Sequence, residues 1–298
     1  MTGNWFHRLW EFLLSVIRQA DLHDCWGRAG ELGFQLMFAF FQALLLLVAV
    51  LSILGANPEV FNSVVYFLGS FLPFELYNVI RGQIVEIAQG KPRGILTLGS
   101  IGTIWTMSTV MLTLNKSFQL TYHIRESRSF WMLRLVTLIV AVAATLMIGL
   151  VLMLLFLGLL VAGFLESNIG VSNLLAVAIR VFRLPLAFLF TTLLASMLYR
   201  SLLSLKQSLL EALPGAHVYS VLWFCFTDLF GIYLRNFSLY NETYGTLGVF
   251  LILMIWMYLT SLSLLLGGEL NAEIHRRREH REMLKQPVAE PPEAQSAV

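Results

Sequence analysis

Charge is scarce in this chain. Asp, Glu, Lys and Arg make up 13% of its 298 residues, about half the share in soluble domains. Cysteine is scarcer still. Cys25 and Cys225 are the two present, and neither sits in a CxxC or Cys/His ligand spacing, so neither a disulfide framework nor a zinc site is expected. A GxxxxGK[ST] loop is missing, which removes direct use of ATP. Neither a His/Asp metal cluster nor a nucleophile–base constellation is recognisable. Catalytic residues, metals, cofactors and nucleic-acid partners are therefore not expected, and the chain is not read as an enzyme. The first apolar stretch, Phe12 to Ile17, is short, follows Glu11 and lacks a small-residue cleavage site, so it does not describe a secretory signal.

Apolar surface is abundant. Hydrophobic residues make up 57% of the chain, and mean hydropathy is +0.74. One soluble core cannot hide that much surface, whereas lipid covers it without cost. The expected fold is all-α, a polytopic membrane helical bundle with about six transmembrane helices and one or two interfacial amphipathic helices. Apolar runs place the spans at about 34–54, 95–114, 135–165, 182–203, 216–234 and 247–266. Residues 34–268 form the transmembrane domain. Residues 1–33 form a cytoplasmic amphipathic segment. Residues 269–298 form a cytoplasmic tail, basic at first and disordered after about Gln286. The third span exceeds what a bilayer requires and should tilt or project. Pro185 falls near the start of the fourth, and Pro214-Gly215 opens the fifth.

Lys and Arg set the orientation. Fourteen of the 20 fall in the N-terminal segment, the second-to-third and fourth-to-fifth loops and the tail, against six on the other side. Both termini are therefore expected in the cytoplasm of a bacterial inner membrane. Trp5, Leu9, Phe12, Leu13 and Val16 share one helical face and suit a helix lying on the inner surface. On the outside, Leu76, Ile80, Ile84 and Ile87 form a second apolar stripe after Pro73.

Few residues inside the spans offer chemistry. Asp228 is a carboxylate within the fifth span and should face the bundle interior, a cavity or a cation. Arg235 follows seven residues later on the same face, and Arg180 and Arg183 enter the fourth span from the same outer side. Three guanidinium groups suit an anionic headgroup, since each binds phosphate bidentately. The blander readings are an ion pair that locks helices and arginines that snorkel to the interface. Glu31, Gln35 and Gln42 form a polar stripe along the first span, either helix glue or the lining of a wet path. Gly99, Gly102, Thr103, Thr106, Thr109 and Thr113 give the second span a small, polar face suited to close packing. Glu269, Asn271 and Glu273 close the sixth span, with Arg277 placed to pair with Glu273 at i,i+4.

Several motifs resemble one family. Pro214-Gly215-Ala216, Tyr240-Asn241, Tyr244-Gly245-Thr246-Leu247-Gly248, Trp256-Met257-Tyr258-Leu259 and Gly268-Glu269-Leu270-Asn271-Ala272-Glu273 look like the YihY/BrkB family of inner-membrane proteins. Trp105, Ser108, Leu114-Asn115, Arg128-Ser129-Phe130, Leu184-Pro185 and Leu198-Tyr199-Arg200 extend the likeness over about Leu22 to Glu273. One departure is Gln42, which stands where the family's first span usually has proline. The resemblance implies a six-helix fold, a link to envelope integrity and lipid or solute transport. It also brings an old ribonuclease label, which the absent metal cluster does not support. The expected function is movement of a lipid or amphipathic anion across or between leaflets, with membrane lipids and their anionic headgroups as partners. The alternative is a non-transporting scaffold for envelope integrity. Substrate, direction, coupling ion and oligomeric state are not encoded legibly.

Overall fold

The computed structural model describes residues 3–54, 93–147, 173–205, 207–235 and 238–284, with the side chains at several helix ends outside the description. All regular structure among these residues is helical. Seven helices follow in order: α1 (Gly3–Leu22), α2 (Cys25–Leu54), α3 (Arg93–Thr121), α4 (described over Phe130–Met147), α5 (Asn173–Leu202), α6 (Leu209–Arg235) and α7 (Ser238–Met283). Four described stretches are long and apolar enough to cross a bilayer: Phe130–Met147, Leu184–Leu202, Leu209–Ile232 and Phe250–Met283. The expected spans at 34–54 and 95–114 lie within α2 and α3. The second half of the third span, the outer stripe after Pro73 and the tail beyond residue 284 lie outside the described residues.

Helix ends are set by local chemistry. Asp24 starts α2, its carboxylate accepting from the Gly27 amide at 3.2 Å in the way an N-cap does. α3 ends where His123 turns left-handed, with φ of 53°. The Ile124 amide then reaches back to the Gln119 carbonyl at 3.0 Å, and the His123 amide to Leu120 at 3.1 Å. This is a Schellman ending with histidine in the position usually given to glycine.

α7 is the axis of the bundle. It packs against α6, α2, α1 and α3, while α2 also packs on α3, and α5 on α6. α2 and α7 run antiparallel. The Gly33 Cα backs onto the Tyr258 backbone, where a Cβ would sit 3.0 Å from main-chain atoms. Farther along, Phe41 stacks on Phe250 at 6.4 Å between centroids. α4 joins through Thr137, whose hydroxyl lies 3.1 Å from that of Ser108 on α3. Outside the core, Trp105, Phe130, Trp131, Ile139, Leu146, Phe182 and Leu229 are exposed. So much apolar surface would be a liability in water and is the expected lipid face of a spanning bundle.

Two sequence expectations change. Pro214 does not open α6 but lies inside it, five residues after its start; Pro185, in contrast, stands near the start of the apolar stretch Leu184–Leu202, as expected, within the longer helix α5. Proline removes a ladder hydrogen bond, so a break inside a helix needs a partner from elsewhere; α6 finds one, described below. The second change is in α1. Val16 and Ala20 are buried and Phe12 is half-buried, while Trp10, Leu14 and Ile17 are exposed together with Leu13. The face assigned to the membrane is thus partly the face packed on α7. Amphipathicity shows that a helix has an apolar side, but α1 has two apolar surfaces to place.

Candidate functional site

The end of α7 near Glu269 carries most of the buried polar chemistry. Glu269 and Glu273 are one turn apart and point toward α1, α2 and α3; Asn271 and Gly267 face α6. At the α6–α7 crossing, the Gly215 amide donates to Asn271 Oδ1 at 2.7 Å, and Asn271 Nδ2 donates to the Ala212 carbonyl at 3.0 Å. Asn271 therefore takes up backbone groups on either side of Pro214. The approach is close enough that a Cβ on Gly215 would overlap the Gly267 carbonyl, and one on Gly267 would overlap the Tyr199 hydroxyl. That hydroxyl donates to the Leu264 carbonyl at 2.7 Å.

Glu269 is fully buried. Its Oε1 accepts from Thr121 Oγ1 at 2.7 Å, lies 2.7 Å from His23 Nδ1 and receives the Cys25 thiol at 3.5 Å. Its Oε2 has no hydrogen-bond partner among the described residues, and the same holds for the buried Tyr122 hydroxyl and Gln207 Oε1. Burial pushes the Tyr122 phenol up to about 12; the nearby Glu269 charge adds to this, and Gln207 and Arg276 oppose it. Burial also pushes the Cys25 thiol well above its usual range, with the Glu269 charge second. A buried protonated thiol of this kind is a weak donor and not a nucleophile. The ring of His123 meets that of His23 edge-on at 5.1 Å.

Glu273 is differently placed. Its carboxylate accepts from Ser15 at 2.8 Å, from Arg277 Nε at 2.7 Å and from Arg276 Nη2 at 3.0 Å, and Arg276 Nη1 donates to the Thr121 carbonyl at 2.8 Å. The Arg277 guanidinium also lies 4.8 Å over the Phe12 ring. The Glu273–Arg277 pair read from the sequence is present. These bonds clip α1 and the end of α3 to α7. A neighbouring network serves α5: Glu126 accepts from Gln119 at 3.0 Å and from the Arg128 amide at 3.0 Å, and Arg128 Nη1 reaches the Ser201 carbonyl at 3.4 Å. A guanidinium on terminal carbonyls is a helix cap.

The sequence-based candidates lie elsewhere. Asp228 is exposed on α6 and is not packed in the bundle interior, the first of the placements expected for it. It sits four residues before the end of the apolar stretch at Ile232, about 6 Å of helix rise. Headgroup water is near enough there that burial is not forced. The α5–α6 pair runs antiparallel, with Thr192 donating to Ser220 at 2.9 Å and Phe188 packed on Phe224 at 5.7 Å. Continuing that register brings the backbones of Arg180, Arg183, Asp228 and Arg235 to the same end of the pair. The side chains of the three arginines lie outside the described residues. Gln35 is half-buried, its amide donating to Glu31 at 3.4 Å. Gln42 is half-buried beside Gly102 of α3, whose Cβ would lie 3.7 Å from the Gln42 amide. The sequence missed His23, Cys25 and Thr121 as neighbours of Glu269. The available signal was a carboxylate at the end of an apolar span, inside the motif that carries the family resemblance. Among the described residues, no group of three or more His, Cys, Asp or Glu is arranged to hold a metal ion.

Fold and surface together define a multi-pass helical membrane protein. Residues 16–291 match the family described as Virulence factor BrkB, and the chain belongs to that family. It is similar to YfkH of Bacillus subtilis (strain 168), named a ribonuclease-like protein, at 26% identity over 90% of this chain and 96% of that protein. It is also similar to a UPF0761 membrane protein of Chromohalobacter salexigens, at 25% identity over 92% of this chain; the match spans 65% of that longer protein. A UPF0761 membrane protein of Xanthomonas oryzae pv. oryzae (strain PXO99A) is 35% identical over 31% of this chain and 22% of its own length. No solved structure matches. Some of the pieces that carried the resemblance (Asn115, Arg128, Tyr199, Pro214-Gly215 and the stretch from Gly268 to Glu273) converge on this one end of the bundle.

Proposed function

We propose that the chain resides in a bacterial inner membrane with both termini in the cytoplasm, and that it moves a lipid or amphipathic anion between leaflets. The Lys/Arg distribution supports the orientation. The observation that carries the transport reading is a set of buried oxygens inside the spans. Gln35 Oε1, Thr227 Oγ1 and Thr260 Oγ1 have no hydrogen-bond partner among the described residues. Hydroxyls elsewhere in the same bundle bond the carbonyl one turn back: Ser220 to Ala216 at 3.0 Å, Ser261 to Met257 at 2.9 Å, Ser263 to Leu259 at 2.7 Å. A polar oxygen without a donor costs a few kcal/mol in hydrocarbon. Oxygens kept that way along α2, α6 and α7 suit a path that water or a headgroup enters. Asp228 and the arginines at the far end of the α5–α6 pair suit the charged end of such a path.

The test is reconstitution into vesicles containing fluorescent phosphatidylglycerol, with external reductant reporting which leaflet the probe occupies. The wild-type chain exposes inner-leaflet probe. Gln35→Leu, and Thr227→Val combined with Thr260→Val, slow this by about ten-fold or more, a barrier change near 1.4 kcal/mol. Wild-type vesicles no faster than protein-free ones would sink the reading. The scaffold alternative then gains ground, since α7 continues as exposed helix to Met283.

A further inference from the structure

Arg134 carries a charge inside a span. A guanidinium stays ionised in proteins and offers five N–H donors. Arg134 lies four residues into the apolar stretch that begins at Phe130, about 6 Å of helix rise. Its head is held there: Nη1 donates to Ser108 Oγ at 3.0 Å, and that hydroxyl lies 3.1 Å from the one on Thr137, deeper still along α4. The guanidinium carbon stands 4.7 Å from the centre of the Trp105 ring and 6.0 Å from that of Phe130. Ring faces ease the loss of water around a cation, but they supply no anion. Among the described residues the ion pairs of arginine belong to Arg128, Arg276, Arg277 and Arg278, and no carboxylate pairs with Arg134.

The place opens sideways. Arg134 is half-exposed, while Trp105 is 65%, Phe130 64% and Trp131 80% exposed, so the rings stand on the outer surface of the bundle. Lys116, also exposed, follows Trp105 by eleven residues, about three turns along the same face of α3. A charge within a span needs a partner, and the open side of this one is lipid. We propose that Arg134, with Trp105, Phe130 and Trp131, binds the phosphate of one anionic phospholipid in the leaflet at the α3–α4 turn. The guanidinium takes the phosphate as a fork, and the aromatic rings pack on the glycerol and upper acyl chains beside it. Lys116 adds the attraction that favours an anionic over a zwitterionic headgroup. The α3–α4 turn is the end at which Arg128 bonds the last turn of α5, so this site lies opposite Arg180 and Arg183, at the start of that helix. Occupancy stands on this geometry alone; a role in loading a lipid to be moved rests on the transport reading.

The experiment reconstitutes the full chain in phosphatidylcholine vesicles and replaces part of the host with phosphatidylglycerol brominated on its acyl chains. Brominated phosphatidylcholine at equal mole fraction is the reference, and tryptophan quenching reports which lipid sits against the protein. In the wild type, phosphatidylglycerol is enriched at the protein about five-fold or more over the reference, the scale of one charge-assisted contact. Arg134→Gln removes the excess quenching. Arg134→Lys keeps the charge without the fork and retains less than half of it. Trp105→Phe combined with Trp131→Phe also lowers the excess, because these two of the seven tryptophans are the reporters beside the site. Millimolar inorganic phosphate leaves the excess in place; its loss would assign the site to free phosphate and overturn the lipid proposal. Equal quenching by the two brominated lipids overturns it, as does an excess unchanged in Arg134→Gln. If Arg134→Gln does not fold, an excess unchanged in both Arg134→Lys and the double tryptophan variant overturns it. Absent lipid movement with the excess quenching intact counts against transport and leaves the site standing.

Discussion

Asn271 and Tyr199, at the α6–α7 crossing, bond the backbones of neighbouring helices. Gln35, Thr227 and Thr260, deeper in the same bundle, keep an oxygen with no partner among the described residues. At the crossing, polar groups repair a proline break and close-pack against glycine, so the geometry admits one arrangement. In the spans, a hydroxyl that could bond its own helix does not. The first pattern fixes a structure; the second leaves room for something that comes and goes.

Substitutions can break or sharpen this contrast. The largest effect belongs to Gly215→Ala, whose methyl would overlap the Gly267 carbonyl and the Asn271 amide. It should cost about 3 kcal/mol or more, read as lost yield and a lower melting midpoint. Asn271→Leu comes next. It strips the Gly215 amide and the Ala212 carbonyl of their partner, with an expected cost of about 2 kcal/mol in the same assay. Thr260→Val should run the other way. Replacing an unbonded hydroxyl by a methyl of similar shape leaves stability unchanged or raises it by about 1 kcal/mol. A large destabilisation there would erase the contrast.

Alkaline pH offers a subtler probe. The folded chain holds the Tyr122 proton up to about 12, against 10.0 for a free phenol. Above the unfolded value, the unfolded chain releases that proton first, so stability falls as pH rises from about 10 to 12. Tyr122→Phe should flatten part of that fall in a pH series of melting midpoints. An identical slope would mean that the phenol titrates normally. The smallest effect is Asp228→Asn. An exposed residue with no bond among the described residues should change stability by about 0.5 kcal/mol or less; a large loss would mean a partner outside those residues.

Much of the fold was legible because apolar runs of bilayer length leave a chain few options. Where they are described, the six expected spans fall on helices, except that Leu203 lies just past the end of α5. What escaped depended on residues far apart in sequence. Pro214 reads as a helix opener until Asn271 arrives from 57 positions downstream. α1 announces an apolar face but not which of two surfaces takes it. Asp228 reads as an interior charge because hydropathy records depth only coarsely, while the arrangement around Glu269 draws His23, Cys25 and Thr121 from three separate segments. Glu269 itself was visible at the end of the sixth span, but its neighbours were not, since nothing in the spacing of a lone histidine and a lone cysteine names a glutamate about 245 residues away.

α7 is one unbroken helix of 46 residues, about 69 Å from end to end. A bilayer core occupies less than half of that. Its last 17 residues, Gly267 to Met283, extend about 25 Å past the span expected at 247–266, and α1 is fastened alongside. A stiff member pivoting at the Gly215 crossing magnifies angle into travel. Tilting it by about 10° swings its tip through about 4 Å by that length, so a change too slight to notice among the packed spans becomes a displacement wide enough for another molecule to sense.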